Sequence, residues 1–382
     1  MSISPTYLDK LKNRVYYATD AEVPEDFRER MYAEGLRVAE EVLEPKGMDD
    51  RKILIVGGAG YIGVPLTTHL LARGYSVRCL DLLMFENRDV VHPFLGEEGY
   101  EFMLGDMADS DTVTKALDGV TDVVLLAGLV GDPITKKYPD ESAKINDEGV
   151  LNVIEQANGK GLNKVIFVST CSNYGEIPPD TTADENYDLK PLSLYAKSKV
   201  AAEKTMLAGK GNVDYTGTVM RFSTAFGLSG RMRFDLTVSE FTRELFVGNK
   251  LDVYDADTWR PYCHMQDFAR GLTRVLEAPA DEVAFDVFNA GGDVNNYTKG
   301  MMVEAILKHI PDGQVTYVEG GFDRRNYKVD FSRIRERLHF TPKYTVDDGI
   351  RELIEVMKQG FFHDYDQRLN YYRNNEIDYT VK

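Results

Sequence analysis

Tyr195 and Lys199 are the residues best spaced for proton chemistry. They stand four apart in Tyr195-Ala196-Lys197-Ser198-Lys199, which puts both on one face of a helix. A phenol titrates near ~10, too high for a base at neutral pH. A neighbouring ammonium, and a cationic ring beside it, would favour the phenolate and lower that value. Tyr195 would then take the proton of a substrate hydroxyl as hydride leaves the carbon that bears it. Pairs of this kind also decorate ordinary surface helices, so the reading depends on their company. One expected companion is a hydroxyl at a strand end. Val165-Ile166-Phe167-Val168-Ser169-Thr170 supplies it. Thr170 would hydrogen-bond the reacting oxygen, and Ser169 is the local alternative.

The other companion is a phosphate cradle. Gly57-Gly58-Ala59-Gly60-Tyr61-Ile62-Gly63 follows the apolar run 53–56 and precedes a helical pattern over 64–72. Strand, glycine turn and helix in that order bring backbone N–H groups to a pyrophosphate at a positive helix N-terminus. Gly57, Gly60, Tyr61, Ile62 and Gly63 are the residues expected to do so. Asp81 closes a second apolar run, 76–80. A carboxylate there would hydrogen-bond the hydroxyls of an adenosine ribose and repel a 2′-phosphate. No arginine adjoins it in the sequence, Arg88 being the nearest downstream. The expected cofactor is therefore NAD rather than NADP. Asp106, beside Met107, ends a third run and would meet the adenine. Ala127 and Gly128 place small residues where backbone must run beside the dinucleotide.

The elements needed to position these groups alternate. Strands are expected at 52–56, 76–80, 100–104, 122–126, 164–169 and 215–221, with helices near 61–72, 110–117, 140–159 and 193–208. Alternation of apolar strands with helices predicts an α/β protein, with a Rossmann-type doubly wound parallel sheet over residues 51–227. Beyond 227 the rhythm shortens to helices near 235–247, 266–277, 298–309, 331–338 and 346–358 and a strand near 284–289. This part, 228–360, reads mainly as a smaller substrate-binding lobe. Residues 1–50 are expected to be an N-terminal helical extension. Within it 24–43 reads as an amphipathic helix, with Pro24 near its start and Phe27, Met31, Val38, Val42 and Leu43 as its apolar stripe. The tail, 361–382, is rich in Phe, Tyr, Asn and Asp and is expected to wrap the surface or a partner subunit.

Composition excludes several classes of function. The 382 residues carry 62 Asp and Glu against 45 Lys and Arg, a net charge of −17, whereas nucleic acid asks for the opposite sign. Mean hydropathy is −0.34, and no apolar run nears the ~20 residues of a membrane span. No basic stretch followed by an apolar one opens the chain, so no signal peptide is read. Cys79, Cys171 and Cys263 lack Cys-x-x-Cys spacing. Their pattern predicts neither a disulfide framework nor a metal site, and fits a cytoplasmic protein.

Together these motifs resemble the extended short-chain dehydrogenases/reductases, in their nucleotide-sugar epimerase/dehydratase branch, over residues 51–358. The resemblance rests on Gly57-x-x-Gly60-x-x-Gly63, Asp81, Gly105-Asp106, Ala127-Gly128-Leu129, Asn146-x-x-Gly149, Thr170-Cys171-Ser172-Asn173-Tyr174-Gly175 and Tyr195-x-x-x-Lys199. It continues through Arg260-Pro261-Tyr262-Cys263-His264-Met265-Gln266-Asp267 and Phe288-Asn289-Ala290-Gly291-Gly292. It implies that Asn146 joins the cofactor site and that Tyr195 and Lys199 touch cofactor as well as substrate. It implies too that the later lobe binds a nucleoside diphosphate sugar. Arg260 would hold the diphosphate, Arg324 would lie near the nucleotide, and Arg231 and Arg233 would add phosphate contacts. A guanidinium suits phosphate because it offers two parallel donors; a solvated surface position is the other meaning of the outer arginines. His264 reads as structural. A homodimer is the expected assembly.

Departures from that family's patterns narrow the chemistry. Its sugar 4,6-dehydratases carry Asp-Glu directly after the catalytic threonine, where Cys171-Ser172 stand here. Its uronate decarboxylases usually place Glu where Ser172 stands. Both reactions are disfavoured. Cys171 reads as a buried inert thiol, with a proton donor as the alternative. A 4-epimerase needs only Thr170, Tyr195 and Lys199, and so does a C4 dehydrogenase or ketoreductase that does not invert. The epimerase is the expectation, the oxidoreductase the alternative, and a catalytically silent NAD-sensing module the third reading. Val130, where some 4-epimerases carry a polar or basic residue, leaves the product open.

Overall fold

The computed structural model describes residues 51–178, 180–321, 324–377 and 379; the helix expected over 24–43 lies outside them. Seven strands form one parallel sheet in the order β10-β6-β5-β4-β1-β2-β3. They are β1 Lys52–Val56, β2 Ser76–Asp81, β3 Tyr100–Leu104, β4 Asp122–Leu125, β5 Lys164–Thr170, β6 Thr216–Phe222 and β10 Asp286–Ala290. Strand β1 pairs with β2 on one side and β4 on the other, with Val56 opposite Leu80 and Leu125. The strand order reverses at β1, and a crevice opens there beyond the carboxyl ends of the strands. This is the Rossmann-type doubly wound sheet that the alternation predicts.

Helices α1 (Gly63–Ala72), α2 (Ser110–Leu117), α3 (Asp132–Lys137), α4 (Val150–Gln156) and α5 (Leu194–Ala208) connect the strands. The central strands β1 and β4 are almost wholly apolar because both sheet faces are covered there, whereas β3 at the edge is half-buried to exposed. On one face Leu54, Val56, Val123, Leu125 and Phe167 pack with Val113 of α2, Val153 and Ile154 of α4 and Met206 of α5. The later chain adds α6 (Thr237–Phe246), α7 (Met265–Glu277), α8 (Lys299–Leu307), α9 (Ser332–Leu338) and α10 (Val346–Lys358). Helix α7 packs on α1. A second core ties Tyr61 and Val64 of the α1 start to Phe234, Met265 and Ile350, and to Tyr365, Tyr371 and Tyr372 of the tail. Two small sheets stand beside it: β7 (Thr224–Phe226), β9 (Trp259–His264) and β11 (Asn296–Thr298), and β8 (Leu251–Tyr254) with β12 (Val315–Val318).

Two elements differ from expectation. The helix expected over 140–159 is interrupted by a wider, π-helical turn, Lys144–Gly149, between Pro139–Ala143 and α4. Such turns displace the residues they contain, and this one carries Asn146. The strand expected near 284–289 is β10. It rejoins the main sheet, Asp286 opposite Thr218 and Ala290 opposite Phe222, so the later segment contributes to the sheet as well as to its own lobe. Among the described residues, no helix is long and apolar enough to cross a membrane.

Candidate active site

A cavity of about 670 Å³ lies at the carboxyl ends of β1, β2, β4, β5 and β6. Its first wall is the glycine turn. Gly57 N donates to Leu80 O (2.8 Å), Gly60 N to Gly57 O (3.3 Å) and Val64 N to Gly60 O (3.2 Å), so the turn folds on itself and runs straight into α1. Gly57 has φ +89°, and a Cβ there would stand 2.8 Å from the Ala127 backbone. At Gly63 a Cβ would stand 2.5 Å from the Cα and O of Gly58. The turn accepts no side chains at these places, and Gly57, Gly60, Tyr61, Ile62 and Gly63 all line the cavity. That is the shape a dinucleotide's pyrophosphate requires.

Asp81 and Asp106 flank this wall, and both line the cavity. Asp81 Oδ2 accepts from Ala59 N (3.0 Å) and Oδ1 from Leu83 N (2.8 Å). Burial raises its pKa, and these two amides and the Arg231 charge oppose the rise. Asp106 Oδ1 accepts from Ala108 N (2.8 Å), and Oδ2 from Tyr379 Oη (2.6 Å) in the tail. Met107, Ala127 and Gly128 complete the lining. Asn146 stands behind it. Its Oδ1 accepts from Leu129 N (2.7 Å) and its Nδ2 donates to Leu129 O (3.0 Å). It thus shapes the loop after β4 instead of facing the cavity.

The reacting end is built on β5 and α5. Ser193 Oγ caps α5 by accepting from Ala196 N (3.2 Å), which fixes the first turns and presents Tyr195 and Lys199 to the cavity. Lys199 Nζ donates to Val168 O (2.9 Å) and lies 5.9 Å from the Tyr195 ring centre. Burial pulls Lys199 down to about 8, with Glu203 resisting. Tyr195 departs from expectation: burial pushes its phenol up, and the cations opposing that are Arg233 and Arg325. The ammonium of Lys199 is directed at the Val168 carbonyl instead. Thr170 Oγ1 lies 2.7 Å from Ser172 Oγ, and both residues line the cavity. The Ser169 hydroxyl points to the other side of the strand and donates to buried Glu203 (2.5 Å), so Thr170 is the hydroxyl available. Cys171 is buried with its Sγ donating to Arg221 O (3.2 Å), and burial pushes its thiol up. That is an inert thiol, not a proton donor.

The far end comes from the later chain. Arg260 of β9 lines the cavity, lies over the Tyr327 ring at 5.0 Å and donates to Trp259 O (2.8 Å). Arg324 does not reach it. Its side chain is 76% exposed and pairs with Glu176 at 2.9 Å, while Arg325 lines the cavity, 3.9 Å from Asp132. The segment is extended, since Asn326 bridges Glu176 in parallel fashion. Successive side chains therefore point to opposite sides, so the place expected for Arg324 falls to its neighbour Arg325. Arg233 is held by Asp235 at 3.0 and 2.6 Å; Arg231 lies in the same wall. Asp132, Asp235, Glu240, Arg373 and Asn374 also line the cavity without a sequence signal beyond their residue types. Arg373 meets Glu240 at 3.3 Å, and Asn374 Nδ2 donates to Val130 O (3.1 Å). His264 caps α7: Nδ1 accepts from Gln266 N (3.2 Å), leaving Nε2 to donate to Glu352 (2.8 Å). It is structural.

Comparison with known proteins agrees with this geometry. Residues 53–291 match the model of the NAD dependent epimerase/dehydratase family. A dTDP-glucose 4,6-dehydratase of Streptomyces griseus is 29% identical over 311 residues, 78% of this chain and 91% of that protein. A UDP-glucose 4-epimerase of Mycolicibacterium smegmatis is 25% identical over 312 residues, 80% and 98% of the two chains. In fold the chain is similar to the UDP-glucose 4-epimerase of Thermus thermophilus, solved as a complex with NAD. The TM-score is 0.69 at 24% identity, covering 80% of this chain and 99% of that one.

Proposed function

The chain belongs to the NAD-dependent epimerase/dehydratase family, and from that membership and the contents of its cavity we propose that it is a nucleotide-sugar 4-epimerase working through a transient 4-keto sugar. Bound NAD supplies the hydride acceptor and, on the return, the donor. Thr170 Oγ1 holds the C4 oxygen. Tyr195 takes the proton from that oxygen and gives it back after the sugar has turned over. Lys199, pinned to Val168 O, holds the nicotinamide-side ribose, while the charges of Arg233 and Arg325 oppose the burial that raises the Tyr195 phenol. Arg260 anchors the diphosphate, which retains the keto sugar while its ring turns.

The observation that carries this reading is the absence of a carboxylate next to Thr170. Cys171 is buried away from the cavity and Ser172 only meets the Thr170 hydroxyl. The other carboxylates of the cavity wall stand beside arginines: Asp235 with Arg233, Glu240 with Arg373 and, at 3.9 Å, Asp132 with Arg325; Asp132 acts on Tyr195 only by raising its phenol further. Expulsion of water from C6 needs an acid/base pair beside the sugar, and epimerisation does not. The test is a screen of UDP-, GDP-, CDP- and dTDP-hexoses, followed by the active sugar deuterated at C4. An epimerase keeps the label and inverts C4 without added NAD if cofactor co-purifies. Loss of label to added NAD with stoichiometric NADH would replace epimerisation by simple oxidation, and a 4-keto-6-deoxy product would replace it by dehydration. Tyr195→Phe should lose at least ~10²-fold in turnover, the lower range for a general base, and still bind NADH.

A further inference from the structure

We propose that Arg231 is a ligand of the cofactor's pyrophosphate, reaching it from the segment packed against the start of α1. The segment after β7 lies directly on the start of α1. Gly227 O accepts from Tyr61 Oη (2.6 Å), and a Cβ at Gly230 would stand 3.1 Å from Val64 Cγ1. Tyr371 of the tail fastens the same segment from outside, donating to Gly230 O (2.6 Å). Arg231 follows immediately. Its guanidinium lies 4.6 Å from the centre of the Phe85 ring, in the loop that leaves Asp81. Arg231 therefore stands between the start of α1 and the β2 loop, the two elements that enclose an adenosine diphosphate moiety in this sheet topology.

Its chemistry points the same way. Arg231 is 2% exposed, lines the cavity, and its Nε and Nη2 have no hydrogen-bond partner among the described residues. A buried, incompletely paired guanidinium is costly, and burial together with Arg233 pulls it down to about 9. The neighbouring acids are already engaged: Asp235 by Arg233, and Asp81 by the Ala59 and Leu83 amides. An anion inside the cavity is what these donors fit. Helix α1 offers the positive end for the pyrophosphate, and Arg231 lines the cavity from the segment packed beside that end. Arg233 is already held by its own acid, two residues on. The inference rests on the family's cofactor and not on the 4-epimerase reading, so either can fail alone.

Stripped full-length protein carrying Arg231→Met, and separately Arg231→Gln, is titrated with NADH, NADPH, ADP-ribose, adenosine and UDP. Both variants should bind NADH and ADP-ribose at least ~10-fold more weakly, as for loss of a charge-assisted donor. Adenosine and UDP affinities should stay as in the parent. The ligand-free Arg231→Met protein should melt no lower than the parent, since an unpaired buried charge has been replaced by an apolar chain of similar length. Unchanged NADH and ADP-ribose binding would overturn the assignment. So would a loss confined to UDP, which would make Arg231 a substrate-phosphate ligand, or one confined to NADPH, which would make it a counter-ion for a 2′-phosphate.

Discussion

The two ends of the cavity are made of different material. At the dinucleotide end, backbone sets the shape: Gly57 and Gly63 leave no room for a Cβ, and the walls come from the ends of β1, β2 and β4. At the far end, side chains set the chemistry. Asp132, Asp235, Glu240, Arg260, Arg325 and Arg373 converge there from segments scattered from α3 to the tail. A backbone-shaped site writes itself into local sequence, because one residue type alone meets its steric demand. A side-chain site writes only residue types, and partners and exposure decide which of them take part.

This difference accounts for what is legible in the sequence. Expected strands 52–56 and 100–104 coincide with β1 and β3, and 76–80 falls one residue short of β2, because apolar runs between glycine or polar breaks carry strong periodic signal. The glycine turn, Asp81, Asp106, Tyr195 and Lys199 all reach the cavity. The π-helical turn at Lys144–Gly149 was hidden because its residues suit a regular helix equally well. The return of β10 to the main sheet was hidden because pairing partners far apart in sequence leave no local mark. Arg324 and Arg325 are chemically identical neighbours, separated only by which side of an extended segment each occupies. The tail, expected to wrap the surface or a partner subunit, instead sends Tyr371 and Tyr372 into the core and Asn374 against Val130, contacts between distant segments that leave no local mark in the sequence.

The comparison is most easily broken at Gly63. A valine there would set its Cβ 2.5 Å from Gly58 Cα and O, and backbone so placed cannot give way as a side-chain tip can. Overpacking alone costs about 1–3 kcal/mol, and the amides of the turn would move with it. Gly63→Val should weaken NADH by ~100-fold or more, the sum of that strain and a misplaced phosphate cradle. Its melting temperature should fall too. Retained NADH affinity would show that this end does not depend on backbone shape.

A smaller effect sharpens the other side. Arg325→Ala should raise the nucleotide-sugar KM by ~10-fold, about the value of one charge-assisted contact, and leave NADH binding alone. Arg324→Ala should change neither by more than ~2-fold. Its partner Glu176 is 52% exposed, and surface pairs contribute about 0–1 kcal/mol. Steady-state kinetics on the two variants decides it, and the reverse ranking would mean that the extended segment around Asn326 presents its other side to the cavity when substrate binds.

A further effect, read in stability and not in binding, concerns Lys199, which lines the cavity beside Tyr195. Its amine is buried against Val168 O, and burial lowers its pKa from the usual 10.5 to about 8. The folded protein then releases this proton near pH 8, whereas the unfolded chain keeps it to ~10.5. Between these values the unfolded state binds more protons, so stability rises with pH through this window. The cost of burying the ammonium is fully present below about pH 8 and is relieved as pH approaches ~10.5. Other groups titrate there as well, so the quantity to follow is the difference between the parent and Lys199→Met, from urea unfolding of cofactor-free protein. Relative to the variant, the parent should gain ~1–3 kcal/mol from pH 8 to pH 10, at ~1.4 kcal/mol per pKa unit. A flat difference would mean that the ammonium keeps its proton through this range. Lys199 would then belong with the arginines of the far end, charged at every working pH, and not with the buried groups behind the dinucleotide wall.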